Sequence, residues 1–297
     1  MSGILYLVAT PIGNLEDMTY RAVRVLQEAD LIAAEDTRNS VKLLQHFEIS
    51  TPMTSYHEFN KIEKAKTLIE KLQEGQNIAV ITDAGTPGIS DPGEELVKMC
   101  YESGIEVQTI PGAAACITAI TSSGQPCRRF SFEAFLPKDK KDRARVLEEM
   151  ERETRTMIVY ESPHHLKATL AELEECLGDR EITICRELTK KYEEKVKTTL
   201  SEANTFYKEN DPRGEYVLVI AGKSKTQVQQ EEQMKWENVS IEEHMEIYLL
   251  QDTTERHYLY CCFCLLPCLQ PSFVAQKPKY HPVTKSWLPL QILSYLV

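Results

Sequence analysis

The chain has 297 residues, with 34 Lys and Arg against 45 Asp and Glu for a formal net charge of −11, and 42% of its residues are hydrophobic. This composition excludes a mainly disordered chain, and the acidic total argues against a protein that coats nucleic acid without specificity, while leaving a local basic face open. At roughly 150 residues per domain, two domains are expected.

The first residues, Ile4 to Ala9, are apolar but lack the basic region of a secretory signal, and they predict a first strand. A helix follows, with Ala22, Val23, Val25, Leu26 and Ala29 on its apolar stripe and Thr19 as N-cap. Strands are then expected at 31–35, 53–57, 77–82 and 106–110, separated by helices near 39–47, 60–74 and 93–103. Strands alternating with helices predict a parallel sheet. A helix over 113–120 joins this half to a second set, with strands near 130–135, 156–160, 181–185 and 214–221 and helices near 139–152, 164–176 and 200–208. The expectation is α/β throughout, with domains at 1–114 and 115–224 and a helical or atypical extension over 225–297.

That extension starts polar and then predicts an amphipathic helix over 236–250 capped at Ser240. Residues 251–297 hold four Cys and five Pro without a sustained period, so no element is expected there. No apolar run approaches the roughly 20 residues of a membrane helix. The expectation is a cytoplasmic protein without a membrane segment. Nine cysteines are an odd number, and four of them crowd into 261–268, which argues against a disulfide framework. Cys261, Cys262, Cys264 and Cys268, with His257 and His281, lack the paired spacing of structural zinc sites, so no metal is expected.

Several loops at carboxyl ends of strands, where an open α/β sheet binds ligands, have the composition of shaped sites. The first is Thr10-Pro11-Ile12-Gly13, which reads equally as an ordinary connection. The densest is Asp83 to Gly93, with three Gly and two Pro in eleven residues. Glycine lets backbone approach a ligand and proline keeps a loop rigid without one, and a loop this long favours binding over simple connection. It is neither a dinucleotide fingerprint nor a P-loop. The third is Ile110-Pro111-Gly112-Ala113-Ala114-Ala115, whose small residues leave room for a flat ligand or for close helix packing.

Acid and base candidates follow strands two and three. They are Glu35 and Asp36 with Arg38, and His57 with Glu58. An isolated Glu-Asp pair is also an ordinary helix start, and an isolated His an ordinary structural residue. Arg128 to Arg145 gathers seven basic residues in eighteen positions, which reads either as an RNA or phosphate face or as a solvated helix offset by Asp139, Asp142 and a Glu-rich continuation to Glu153.

Taken as an ordered series, these motifs resemble the tetrapyrrole methylase superfamily of S-adenosylmethionine-dependent methyltransferases, and within it the small-subunit ribosomal RNA methyltransferase I family. The residues that carry the resemblance are Ala9 to Leu15, Ala34 to Arg38, Ser55 to Glu58, Thr82 to Gly93, Pro111-Gly112, Phe135-Leu-Pro137, Tyr160 to His164, Arg186 to Lys190 and Gly214-Glu-Tyr216, spanning about residues 3–222. The resemblance implies a two-domain tetrapyrrole-methylase-like fold (class III), a homodimer, and methylation of a cytidine 2′-hydroxyl in 16S rRNA on the small ribosomal subunit. It places S-adenosyl-L-methionine against Pro11, Asp83, Ala84, Gly85, Thr86, Ile89, Ser90, Pro111, Gly112, Ala113, Ala114, Ala115, Tyr160 and Glu215. Phe59 and His165 depart from the family pattern, and residues after Leu250 do not follow it, as expected of an unrelated or out-of-frame tail.

A ribose hydroxyl is a poor nucleophile at neutral pH, so a base is expected to take its proton. Glu35, Asp36, His57 and Asp83 are the candidates, with Arg38 placed to grip a phosphate. Two other readings remain open. One is methylation of a tetrapyrrole carbon on the same scaffold, and the other is a non-catalytic RNA-binding ribosome assembly factor.

Overall fold

The computed structural model describes residues 2–91, 93–224, 226–230 and 234. Residues Met1–Val228 form one compact unit, and Gln229–Val297 fall in a second. The helix expected over 236–250, the tail 251–297 and the cysteine cluster with His257 and His281 lie outside the described residues.

The first half of the compact unit runs through β1 (Ile4–Val8), α1 (Tyr20–Glu28), β2 (Leu31–Ala34), α2 (Thr37–His46), β3 (Met53–Ser55), α3 (Lys61–Gln73), β4 (Ile78–Ile81), α4 (Gly93–Glu102) and β5 (Glu106–Ile110). The strands form one sheet in the order β3-β2-β4-β1-β5, parallel at every pairing, as the alternation predicts. Strand β4 shows the cause. Its four residues are all buried; Ile78 and Val80 pack with Leu68, Leu72 and Leu96 of α3 and α4, while Ala79 and Ile81 pack with Leu26 and Leu44 of α1 and α2. Side chains alternate across a strand, so a strand covered on both faces must be apolar throughout. The all-parallel arrangement also brings every carboxyl strand end, and hence every loop singled out above, to one edge. Thr19 caps α1 as expected, its hydroxyl accepting from the Ala22 N–H at 3.1 Å.

The second half comprises α5 (Ala115–Ser122), β6 (Phe130–Phe135), α6 (Lys140–Arg152), β7 (Thr156–Glu161), α7 (Leu166–Leu177), β8 (Glu181–Arg186), β9 (Glu194–Thr199), α8 (Leu200–Glu209) and β10 (Tyr216–Ile220). Its sheet runs β6-β7-β10-β8-β9, and only the β6–β7 pair is parallel. Helices α6, α7 and α8 cover one face through Leu147, Leu170, Leu173 and Leu200. The other face packs on α5, where Cys116, Ala119 and Ile120 meet Ile158, Cys185, Val217 and Val219, with Ile12 of the first half in the same cluster. Helix α5 follows directly from β5, so it is the joint between the sheets.

No element was expected between 186 and 199, yet β9 lies there. Four of its six residues are exposed, and the strand owes its place to the antiparallel ladder with β8, with Lys197 near Glu181 and Arg186 near Glu194. An edge strand of this kind carries charge and lacks the apolar alternation that marks half-buried strands.

Candidate functional site

A cavity of about 450 Å³ opens between the carboxyl edge of the first sheet and the inner face of the second. Loop 83–91 forms one wall, the start of α5 another, and residues of β7, β10 and the β8–β9 turn the third. Its volume lies in the range of small-molecule sites.

The loop walls are pinned from behind. Thr10 and Gly85 exchange two backbone hydrogen bonds, at 2.9 and 3.1 Å, which fasten the β4 loop to the end of β1. Gly85 has φ 85°, a left-handed backbone that glycine adopts without strain. Further along, the Asp91 carboxylate accepts from the Gly88 N–H at 2.8 Å and the Gly93 N–H at 2.8 Å, closing the loop on itself. Thr86 donates to the Ala113 carbonyl at 3.1 Å, tying this loop to the β5–α5 turn. Gly112 permits that turn to lie against β1, since a side chain there would meet the Ala9 Cβ at 2.9 Å.

Helix α5 starts at Ala115 with Ala114 as its N-cap residue, and no side chain of its own caps it. The Tyr160 hydroxyl, from the second sheet, accepts from the Cys116 N–H at 2.9 Å instead. Burial pushes the Tyr160 phenol up, with the neighbouring Cys116 adding to the shift, so it stays protonated at neutral pH. The Tyr160 ring is held edge-on by Phe132 and Phe135, at 5.0 and 5.6 Å between centroids.

Of the residues expected to contact a donor, Asp83, Ala84, Gly85, Thr86, Ile89, Ser90, Ala114, Ala115, Tyr160 and Glu215 line this cavity. Pro11, Pro111, Gly112 and Ala113 stand behind the wall, and Ile12, the neighbour of Pro11, lines it. Among the catalytic candidates, Glu35 lines the cavity, its carboxylate accepting from the Thr82 hydroxyl at 2.6 Å. Asp36 is engaged elsewhere. It caps α2 through the Arg38 N–H and holds the Arg38 guanidinium in a two-pronged pair at 3.0 and 2.7 Å. Those hydrogen bonds hold its carboxyl down at about 2. Arg38 is largely exposed beyond this contact. His57 does not line the cavity, and its Nδ1 is buried without a hydrogen-bond partner among the described residues. Asp83 is raised by burial and by the Glu35 charge, and Asp91 is raised by burial, which outweighs its backbone donors at Gly88, Gly93 and Ile89.

The second half supplies lining residues that sequence reasoning left without a role, namely Phe135, Glu161, Ser162, Leu188 and Lys190. All lie in or beside motifs that carry the resemblance, and that was the available signal. Lys190 bridges Glu187 at 3.0 Å and Glu215 at 2.8 Å. Burial alone would lower its ammonium, and the two carboxylates more than offset that. Ser162 Oγ is buried without a partner among the described residues. No group of three or more His, Cys, Asp or Glu among the described residues is arranged to hold a metal ion, and no helix among them is long and apolar enough to cross a membrane.

The family described as Tetrapyrrole (Corrin/Porphyrin) Methylases matches residues 4–204. A ribosomal RNA small subunit methyltransferase I from Synechocystis sp. is 57% identical over 221 residues, covering 74% of this chain and 79% of that protein. The protein of the same name from Bacillus subtilis is 48% identical over 254 residues, covering 86% of this chain and 87% of its own. Among solved structures, a uroporphyrin-III C-methyltransferase from Thermus thermophilus complexed with S-adenyl homocysteine is similar in fold, with a TM-score of 0.51 at 19% identity over 73% of this chain and 92% of that one. The chain therefore belongs to the ribosomal RNA small subunit methyltransferase I family of the tetrapyrrole methylases.

Proposed function

We propose that the chain methylates a cytidine 2′-hydroxyl of 16S rRNA in the small ribosomal subunit, with S-adenosylmethionine in the cavity between the sheets. The observation that carries this reading is the convergence of ten of the fourteen expected donor contacts on one cavity, in a chain 57% identical to a protein named for ribosomal RNA methylation. The lining fits such a donor. It is mostly small and apolar at Ala84, Gly85, Ala114 and Ala115, which admits a flat group, and it offers the Ser162 hydroxyl, without a partner among the described residues, and the Asp83 carboxylate as polar anchors. The donor supplies an electrophilic methyl on a sulfonium.

The chain's own part is to hold the acceptor in line with that methyl and to take up its proton. Glu35 suits the second task better than Asp36. Its carboxylate reaches the cavity and, among the described residues, accepts from Thr82 and, at 3.4 Å, from the Asp83 N–H, whereas both Asp36 oxygens are committed to Arg38 and the cap. Arg38, largely exposed at the same strand edge, is the phosphate contact. His57 serves as a neighbouring structural group.

In this reading residues 1–114 and 115–224 act as two domains closing on the donor, 225–297 is an extension, the protein works as a homodimer, and it acts in the cytoplasm, where ribosomes are assembled. The identity to proteins named for ribosomal RNA favours this over tetrapyrrole methylation, for which the likeness is one of fold. Labelled S-adenosylmethionine tests the proposal with intact small subunits and with naked 16S rRNA as acceptors, followed by nuclease mapping. Label in a cytidine ribose supports it. Tight donor binding without transfer to either acceptor favours a different acceptor, and absence of donor binding favours a non-catalytic assembly factor.

A further inference from the structure

Phe135 stands out at the cavity mouth. It lines the cavity and is nevertheless 58% exposed, a large aromatic surface kept in water at a site where polar residues would be cheaper. Its orientation is imposed by a break in β6. The register with β7 pairs Phe132 with Ile158 and Phe135 with Tyr160, skipping one residue between them. In a regular strand, residues three apart face opposite sides of the sheet. The bulge puts Phe132 and Phe135 on the same side, both against the Tyr160 ring. Next to it, Ala134 has φ 53°, a left-handed backbone that alanine rarely adopts. Strained backbone next to a bulge at a cleft is the kind of local irregularity that re-aims a side chain for function.

Both ends of β6 carry exposed cations. β6 is the edge strand of its sheet. Arg128 and Arg129 precede it, and Lys138, Lys140 and Lys141 follow it; all five are exposed, and none forms an ion pair with another described residue. Of the nearby acids, Asp139 caps α6 and Asp142 faces Arg145, while Glu133, within β6, sets its charge against Arg155. A six-residue strand spans about 20 Å, so the two basic groups flank the aromatic at distances that a few consecutive phosphates cover. In a chain of net charge −11, this is a local patch suited to a single-stranded polyanion with stackable bases.

Resting on the proposed function, we infer that Phe135 is the platform on which the base of the acceptor nucleotide stacks, with the cations at both ends of β6 holding the flanking phosphates. The Tyr160 ring and its bond to Cys116 keep the platform rigid. The base is thereby held outside the donor cavity, with its ribose directed at the opening.

The test compares Phe135→Ala, Phe135→Leu and Phe135→Trp with the wild-type protein. The readouts are KM for small ribosomal subunits, the donor dissociation constant by calorimetry and the assembly mass by sedimentation. Loss of one stacked base is expected to raise KM roughly tenfold in the Ala variant. Leu, apolar and of similar bulk but without a π face, stays impaired, and Trp restores KM, while assembly mass holds and donor affinity changes by less than KM does. An unchanged KM in the Ala variant overturns the inference. Recovery by Leu overturns it too, as does a loss confined to donor affinity, which would make Phe135 a donor contact, or a drop in assembly mass, which would make it a contact between copies. If the wild-type protein labels no subunits, the proposed function has failed and the inference falls with it, an outcome distinct from labelling that ignores Phe135.

Discussion

Replacing Tyr160 by Phe removes one oxygen and leaves both ring contacts in place, so it isolates the hydrogen bond to the Cys116 N–H. That bond does the work of an N-cap for α5, because Ala114 has no side chain able to accept. Losing an N-cap costs roughly 0.5–2 kcal/mol, and a half-buried donor left without a partner costs about 1–3 kcal/mol. The cavity is open to water, which can partly replace the hydroxyl, so about 1–2 kcal/mol is expected. For a folded unit of this size each kcal/mol shifts the melting midpoint by roughly 2–4 °C, which predicts a drop of about 2–8 °C. The same substitution loosens the turn that forms a cavity wall, so donor affinity should fall, by up to about tenfold if some 1.4 kcal/mol of that stabilisation is spent on ordering the wall. Calorimetric melting and donor titration on the purified variant read both effects. A Tyr160→Phe protein that melts within a degree of wild type and binds the donor equally well would refute the capping role.

Three further outcomes follow from the same geometry. Asp91→Ala removes the acceptor for Gly88 and Gly93; charge-assisted bonds of this kind are worth about 1.5–3 kcal/mol, so donor affinity measured by calorimetry should fall roughly tenfold or more. Arg38→Ala bears on acid stability. The Asp36 carboxyl is held at about 2 in the folded chain, below its ordinary value near 4, so its contribution is complete above roughly pH 4 and is lost as pH falls through about 2; the variant should show a flatter decline of stability across that window. Glu35→Gln takes away the negative charge that, after burial, does most to raise Asp83, and the Asp83 titration followed by carboxyl NMR should move down. The same variant should lose methyl transfer while keeping donor affinity, and full turnover would remove Glu35 as the base.

The first sheet was legible because burial on both faces demands apolar strands, and these five strands alternate with four helices. Thr19 could be named as a cap because a short polar side chain before an apolar period has few other uses. The loops converged because every strand of a parallel sheet ends on the same edge, which makes composition at strand ends a guide to ligand walls. What stayed hidden depends on pairing rather than pattern. Strand β9 is charged and held by its partner, so its six residues carry no apolar signature. The Tyr160 bond joins residues 44 apart, one on β7 and one on α5, and the bulge that turns Phe135 leaves no trace in the run Phe-Ser-Phe-Glu-Ala-Phe. The committed Asp36–Arg38 pair likewise follows from helix geometry; the residue types alone read as a catalytic acid beside a phosphate grip.

The central claim is that the cavity shared by the two sheets is the methyl-donor site. A crystal structure of the protein grown with S-adenosylmethionine tests it most directly. The account predicts the donor between loop 83–90 and the start of α5, in contact with Ser162 and against Tyr160. A donor bound elsewhere on the chain, with this cavity filled only by solvent, would contradict it.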